Sequence, residues 1–271
     1  GGPLPARAPR RALTAGAAAL MLLIGTLVFN ATAPKAMRAV ASPSELRVVT
    51  YNIHAAVDGQ GRLNPEAIAD AIEAQRADVV LLQEVSRGSL SSGTTDVGVW
   101  LSRRLGMHLI WGPAGDAQFG NAILTSRPVS SSGTARLPGG DWSRIRGYVW
   151  ARLDVGGRPV DVWSTHLEDG SAAGSARTAE IAALLKAWGG GPRTILGGDL
   201  NAGPGSPEVA RLADGGLSGG LLDVDISRTT PEGTRIDWIL GTDDLLFSDV
   251  EVGSSTASDH YPVAATVRFG Q

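Results

Sequence analysis

The chain has 271 residues, a formal net charge of −3 and no cysteine, and its sequence pI is about 5.8. Without cysteine, thiolate-rich zinc sites and iron–sulfur clusters are excluded. The mild acidity, with no clustered basic tract, removes the electrostatic footprint of a protein built to grip long nucleic acid.

The first feature in chain order is a basic segment, Arg7, Arg10 and Arg11, followed by an uncharged apolar stretch from Ala12 to Ala33 that includes Leu20-Met-Leu-Leu-Ile24 and Leu27-Val-Phe29. Such a stretch is long enough to cross a hydrocarbon core of about 30 Å. A cleaved signal peptide is the rival reading. Ala31-Thr-Ala33 has the small-residue form of a cleavage site but Pro34 follows it, and Ala39-Val-Ala41 lies beyond Lys35 and Arg38. The reading adopted is a retained transmembrane or signal-anchor helix, N-terminus inside, with the following domain extracytoplasmic. Position 1 is not Met, which suggests a processed chain or the last span of a longer membrane protein. Residues 1–44 are therefore read as basic segment, span and linker, and residues 45–271 as one domain with a single large core.

Within that domain, five short apolar runs rich in β-branched residues carry polar residues able to hold a metal or move a proton. They are Arg47-Val-Val-Thr-Tyr-Asn-Ile-His54, Asp78-Val-Val-Leu-Leu-Gln-Glu84, Val160-Asp-Val-Trp-Ser-Thr-His166, Arg193-Thr-Ile-Leu-Gly-Gly-Asp-Leu-Asn201 and Arg235-Ile-Asp-Trp-Ile-Leu240. A sixth cluster, Ser258-Asp-His260, precedes a strand-like run. Continuous apolar runs read as buried strands, whose ends present rigidly held groups to solvent. Helical patterns alternate with them. Asn64-Pro65 caps a helix from Pro65 to Ala74 with Ile68 and Ile72 one turn apart, Trp100 to Leu105 forms a shorter one, and Ala176 to Trp188 aligns Ile181, Leu184, Leu185 and Trp188 before Gly189 stops it. The Gly/Ser/Pro-rich segments 86–98, 130–141, 168–175 and 203–220 read as loops. Strands followed by helices, then closing strand pairs, fit an α/β fold of four layers: helix, sheet, sheet, helix. The tryptophans, including Trp150, Trp163 and Trp238, fall in strand-like runs and read as core; His108 reads as structural.

The polar groups gathered at the strand ends are the carboxylates Glu84, Asp199, Asp237 and Asp259, the amides Asn52 and Asn201, and the imidazoles His166 and His260. Hard oxygen donors with few histidines favour Mg²⁺ or Mn²⁺. Such ions neutralise phosphate charge while a carboxylate or imidazole prepares a water, so the chemistry implied is phosphoester hydrolysis. Taken one at a time, each group also has an ordinary reading: Asp199 and Asn201 as turn formers around Gly197-Gly198, Glu84 as the end of a core strand, His166 and His260 as hydrogen-bonded histidines.

The ordered series Thr50-Tyr-Asn-Ile-His54, Leu82-Gln-Glu84, Gly120-Asn-Ala-Ile-Leu124, Ser164-Thr-His-Leu167, Gly197-Gly-Asp-Leu-Asn-Ala202, Arg235-Ile-Asp-Trp238 and Ser258-Asp-His-Tyr-Pro262 resembles the endonuclease/exonuclease/phosphatase superfamily over Leu46 to Phe269. Any one motif is weak; seven in order are specific. The resemblance implies the same four-layer sandwich and a role at each matching position. Asn52 and Glu84 bind metal, with Glu84 the main carboxylate ligand, and Asp259 is a further metal-linked carboxylate. Asp199 orients or deprotonates the attacking water, Asn201 holds it and the phosphate, and His166 donates to a phosphate oxygen. His260 is the second essential imidazole, its tautomer fixed by Asp237. The division of base duty between Asp199 and His260 stays open, as does Asn121, which either touches substrate or ties down a turn. His54, on the same face of an extended strand as Asn52, is placed at the substrate side of the site. Arg144, Arg146 and Arg177 are arginines able to contact a phosphate.

Thr50-Tyr-Asn-Ile-His54 with Asp58-Gly59, and Arg235-Ile-Asp-Trp238, look closer to sphingomyelinase-like members and to the C-terminal domains of membrane proteins linked to GPI-anchor lipid remodelling than to base-excision endonucleases. The expected substrate is a lipid head group or another small phosphodiester. A secreted or surface nuclease, with DNA or RNA as partner, is the alternative, and a catalytically silent binding domain on the same fold a third. Nothing in the sequence bears on oligomeric state.

Overall fold

In the computed structural model, which describes residues 42, 44–139, 145–222 and 224–270, the central strands alternate their side chains between two hydrophobic cores. β1 (Glu45–Asn52) and β2 (Val79–Ser86) turn Val48, Val79 and Leu81 into one core and Val49, Tyr51, Val80 and Leu82 into the other. This is the period-2 consequence of extended backbone. The runs read as uninterrupted apolar because both faces of these strands are covered.

β3 (His108–Pro113), β4 (Phe119–Thr125), β11 (Leu245–Val252) and β12 (Val263–Phe269) complete the first sheet, in the order β11-β12-β1-β2-β4-β3. The second sheet contains β5 (Val129–Arg136), β6 (Gly147–Val155), β7 (Arg158–His166), β8 (Thr194–Asp199), β9 (Gly219–Gly220) and β10 (Asp237–Gly241), in the order β5-β6-β7-β8-β10-β9. Each sheet is mixed, with one central parallel pair, β1/β2 and β7/β8. Val48, Val79, Leu81 and Ile123 meet Val149, Val162, Ile195 and Ile239 in the core between the sheets. Outside the first sheet, the helices α1 (Pro65–Ala74) and α2 (Val97–Leu105) supply Ile68, Ile72, Leu101 and Leu105 to the second core. The helices α3 (Gly174–Trp188) and α4 (Pro207–Asp214) cover the second sheet with Ile181, Leu184, Val209 and Leu212. Truncating a fully buried side chain such as Leu81 to Ala would cost about 2–5 kcal/mol.

Two loop expectations are corrected. Residues 130–141 contain β5, whose Ser- and Gly-rich sequence makes an exposed edge strand paired with β6, and residues 203–220 contain α4, capped by Ser206 Oγ on Val209 N with Pro207 in the first turn. Trp163 and Trp238 are core, and Trp150 stacks on Trp163 at 5.9 Å between ring centroids. The apolar stretch 12–33 lies outside the described residues. Among the described residues no helix is long and apolar enough to cross a membrane.

Candidate active site

The strand ends converge in two rows. On the second sheet, register neighbours run Gly147, His166, Asp199, Asp237 across β6, β7, β8 and β10. On the first sheet, Asn52 pairs with Gln83, and a β-bulge lets Gln83 and Glu84 together oppose Asn121 of β4. That bulge inserts an extra residue just where Glu84 must leave the alternation, and Glu84 adopts φ 54° there. Asn201, at φ 48°, sits in the same uncommon region. In β10 the functional residue opens the strand and is not at its end. Because β10 runs antiparallel to β8, its first residue, Asp237, reaches the same rim as Asp199, the last residue of β8.

Gly197 explains how the rows meet. A Cβ at this position would lie 2.5 Å from Leu81 Cδ1 and 3.2 Å from Thr50 Cβ in the facing sheet. The glycine therefore lets the sheets close up two residues before Asp199, and Gln83 Nε2 bonds Ser164 Oγ across the gap at 3.0 Å. At the rim the bridge is Asn52: its Nδ2 donates to Glu84 Oε1 and to Asp199 Oδ2, both at 3.1 Å.

Around Asp199 the carboxylate accepts from Asn52 on Oδ2 and from Asn201 N on Oδ1 at 2.9 Å. His260 Nε2 and His166 Nε2 stand 3.6 and 3.5 Å from Oδ2. Burial, reinforced by Asp237, pushes the Asp199 carboxyl up to about 7. His260 Nδ1 meets Asp237 Oδ2 at 2.9 Å, and the same oxygen accepts from Thr229 Oγ1 at 2.7 Å. Burial alone would lower His260, but the Asp237 hydrogen bond and charge, then Asp199, outweigh it and raise the imidazole to about 9. His166 goes the other way: burial, then Arg146, then His260 hold it well below the usual histidine range. It is therefore a neutral ring. Its Nε2 accepts from Asn201 Nδ2 at 3.1 Å, and its Nδ1 is 3.9 Å from Glu84 Oε1.

The structure thus brings together Asn52, Glu84, His166, Asp199, Asn201, Asp237 and His260. Asp259 and His54 flank this group: both side chains are about half exposed, His54 Nδ1 is 3.9 Å from Asp259 Oδ1, and His54 N donates to Asn52 Oδ1 at 3.1 Å. Asn121 is buried in β4. Its Nδ2 donates to Gly147 O at 2.7 Å and joins the two sheets. Of the arginines, Arg177 is committed inward, to Glu208 Oε1 at 2.8 Å and to the carbonyls of Glu168 and Gly170, so it is not free to meet a phosphate. Arg144 lies outside the described residues. Arg146 Nη1 lies 3.1 and 3.2 Å from the two ring nitrogens of His166. Thr229, the hydroxyl behind Asp237, was missed because nothing in Ser227-Arg-Thr-Thr230 separates it from an ordinary loop residue.

Among the described residues, one acidic/imidazole group has ligating atoms mutually within 4.8 Å: Asp199, Asp237 and His260. Asp237 Oδ2 already accepts from Thr229 Oγ1 and meets His260 Nδ1, while Asp237 Oδ1 is buried without a hydrogen-bond partner. Glu84, in contrast, is a hard-oxygen donor beside the amide of Asn52 and keeps about a quarter of its side chain open to solvent. That donor set fits an oxygen-seeking divalent cation.

A two-sheet α/β sandwich whose rim gathers carboxylates, amides and imidazoles from both sheets defines a protein of the hydrolytic phosphoesterase and nuclease class. The chain belongs to the endonuclease/exonuclease/phosphatase family, whose model matches residues 49–260. Among solved structures, it is similar to an endonuclease/exonuclease/phosphatase from Beutenbergia cavernae DSM 12333 (25% identity, 84% of this chain and 72% of that one, TM-score 0.71). It also resembles the human Nocturnin catalytic domain with bound sulfate anion (22% identity, 85% and 96%, TM-score 0.66). A third similar structure is sphingomyelinase C from Streptomyces griseocarneus (21% identity, 82% and 99%, TM-score 0.59). A search of curated protein sequences finds no match.

Proposed function

We propose that the chain is a divalent-metal-dependent phosphodiesterase that hydrolyses a lipid or other small phosphodiester by attack of water on phosphorus. The observation that carries this reading is the convergence of Asp199 with both imidazoles, His166 and His260, at 3.5 and 3.6 Å, beside the Asn52–Glu84 pair. Mg²⁺ or Mn²⁺ would be held by Glu84 and Asn52, with Asp259 as the further carboxylate; when bound, the ion supplies charge neutralisation at the phosphate.

The rest is done by the chain. Asp199, raised to about 7, is poised to take a proton from water near neutrality. His260, raised to about 9, stays an imidazolium under Asp237 and stabilises the negative charge that builds on the phosphate. This assigns base duty to Asp199. Neutral His166 donates from Nδ1, and Asn201 N and Nδ2 hold Asp199 and His166 in place.

The substrate choice rests on charge. With a net charge of −3 and a rim lined by four carboxylates, the site has little means to neutralise a run of phosphates, whereas one diester needs a single phosphate position. An anchor over Ala12–Ala33 would place the domain at an extracytoplasmic membrane face, next to lipid head groups. The test is kcat/KM for a phospholipid, sphingomyelin, a small diester and duplex DNA at matched salt and Mg²⁺, with and without chelator. The lipid or small diester is expected to be turned over best. DNA cleavage exceeding both by about tenfold would replace this reading with the nuclease one.

A further inference from the structure

At one edge of the sandwich a cleft of about 390 Å³ opens between the segment 224–228, which leads toward β10, and the end of β11. Its aliphatic walls are Val224, Ile226, Val250 and Val252. All four are only partly buried where they pack against the core between the sheets, so apolar surface is left facing the cleft. The lining also includes Tyr261, the residue after His260, and Arg228, the residue before Thr229.

The apolar character of the β11 wall comes from a bulge. Residues 245–248 and 251–252 pair with β12 in registers one residue apart, and Asp249 between them adopts φ 49°. Alternation with period 2 turns Leu245 and Phe247 onto the core, and without the extra residue it would turn Asp249 and Glu251 the same way. With it, Val250 and Val252 take those places, and Glu251 reaches out to Arg47 Nη2 at 3.2 Å. The facing wall is fixed by Arg235, whose Nη1 donates to Val224 O at 2.8 Å and whose Nη2 donates to Leu221 O. Ile226 N donates to Val224 O at 3.0 Å. The charge of Asp225, the acid in the lining, acts on the Arg235 guanidinium. Arg228 is the cation of the lining, its Cζ 5.9 Å from the centre of the Tyr261 ring.

The cleft adjoins the reacting groups. Tyr261 N donates to Thr229 O at 2.8 Å, Thr229 Oγ1 donates to Asp237 Oδ2, and that oxygen meets His260 Nδ1. Successive Cα atoms are about 3.8 Å apart, so the cleft wall begins one residue from the imidazole that faces the phosphate in the proposed reaction. Small-ligand sites are concave, about 300–1,000 Å³, and mostly apolar with a few polar groups. A nucleotide chain would bring charged phosphates onto the aliphatic walls, which desolvation opposes.

We propose that this cleft receives the apolar arm of the substrate, an alkyl or acyl-bearing alcohol esterified to the phosphate, with Arg228 toward the charged end. The assignment deepens the proposed phosphodiesterase reading and rests on it.

The test uses the full chain with Mg²⁺ and two substrates that share one leaving group, methyl 4-nitrophenyl phosphate and hexyl 4-nitrophenyl phosphate. Wild type should favour the hexyl ester in kcat/KM by at least about tenfold, mostly through KM. Ile226→Trp, which fills the cleft, should bring the ratio of the two esters near one; if that variant does not fold, Val250→Trp fills the cleft from the facing strand. In methyl NMR of wild type, hexyl phosphate should shift Val224, Ile226, Val250 and Val252, and inorganic phosphate should not. Equal kcat/KM for the two esters in wild type, a hexyl preference that survives the filled cleft, or methyl resonances indifferent to hexyl phosphate would overturn the proposal. If neither ester is turned over, the proposed function falls, and the methyl shifts still decide whether the cleft takes an alkyl chain beside an anion.

Discussion

Two imidazoles stand at nearly the same distance from one oxygen of Asp199, Oδ2, and their surroundings drive them to opposite charge states. On one side His260 is hydrogen-bonded at Nδ1 to Asp237, with Thr229 behind it, and is raised to about 9. On the other, His166 Nε2 accepts from Asn201 Nδ2, the Arg146 guanidinium lies against both ring nitrogens, and the ring is held neutral. Both rings are buried, so burial does not separate them. The sign of the nearest charge does: a carboxylate outweighs desolvation at His260, and a guanidinium adds to it at His166. One side of the site is thereby built to carry positive charge through the reaction and the other to donate a hydrogen bond without it.

The comparison breaks first at the charged side. Removing the His260 ring (His260→Ala) should lower kcat/KM by about a thousandfold, and adding Asp237→Asn to it should cost scarcely more, because the aspartate acts through the ring. Fully additive losses in log kcat/KM would show two independent residues. The neutral side is tested next, through Glu84, the carboxylate that His166 Nδ1 faces. Glu84→Gln should leave the melting curve near wild type and cut turnover by at least about a hundredfold, with excess Mg²⁺ restoring little; full wild-type activity in EDTA would remove the metal from the account. The smallest effect is in the pH profile. Asp199 works when deprotonated, so kcat/KM should rise with pH up to about 7, and His260 works when protonated, so it should fall above about 9. Asp237→Asn, which removes the largest raising influence on His260, should move the falling limb to lower pH and leave His166 unprotonated throughout. A falling limb that stays in place would show that His260 is not the group it reports.

The strands that carry the site were readable because they are buried on both faces, which leaves long apolar runs ending in polar residues: β1, β2, β7 and β8 fall within about two residues of those runs. However, β1 stops at Asn52, and His54 begins a 3-10 turn and is not on the extended strand. The helix α1 was readable from Asn64-Pro65, and α3 from its apolar stripe. The edge strand β5 was not, since Ser130, Ser131 and Ser132 face solvent and leave no alternation to detect. The helix α4 was missed although Ser206-Pro207-Glu208 is a start signal, because the glycines on either side outweighed an eight-residue segment. Asn121 was visible as a polar residue in an apolar run, but its acceptor, Gly147 O, is 26 positions away.

The sequence by itself determined most of the chemical groups the site draws on and that they gather at or next to strand termini, because hydrophobic patterning and residue type are local properties. Only the tertiary structure decided that Asn52 would bridge the sheets to Asp199, that the β2 bulge would bring Glu84 to Asn52, and that Arg146 would stand on His166 while Asp237 stood on His260. Those outcomes depend on strand register, on how closely Gly197 lets two sheets approach, and on the charge nearest each buried ring. All three are set by residues far apart in the chain, so the protonation states on which the chemistry depends are properties of the assembled fold.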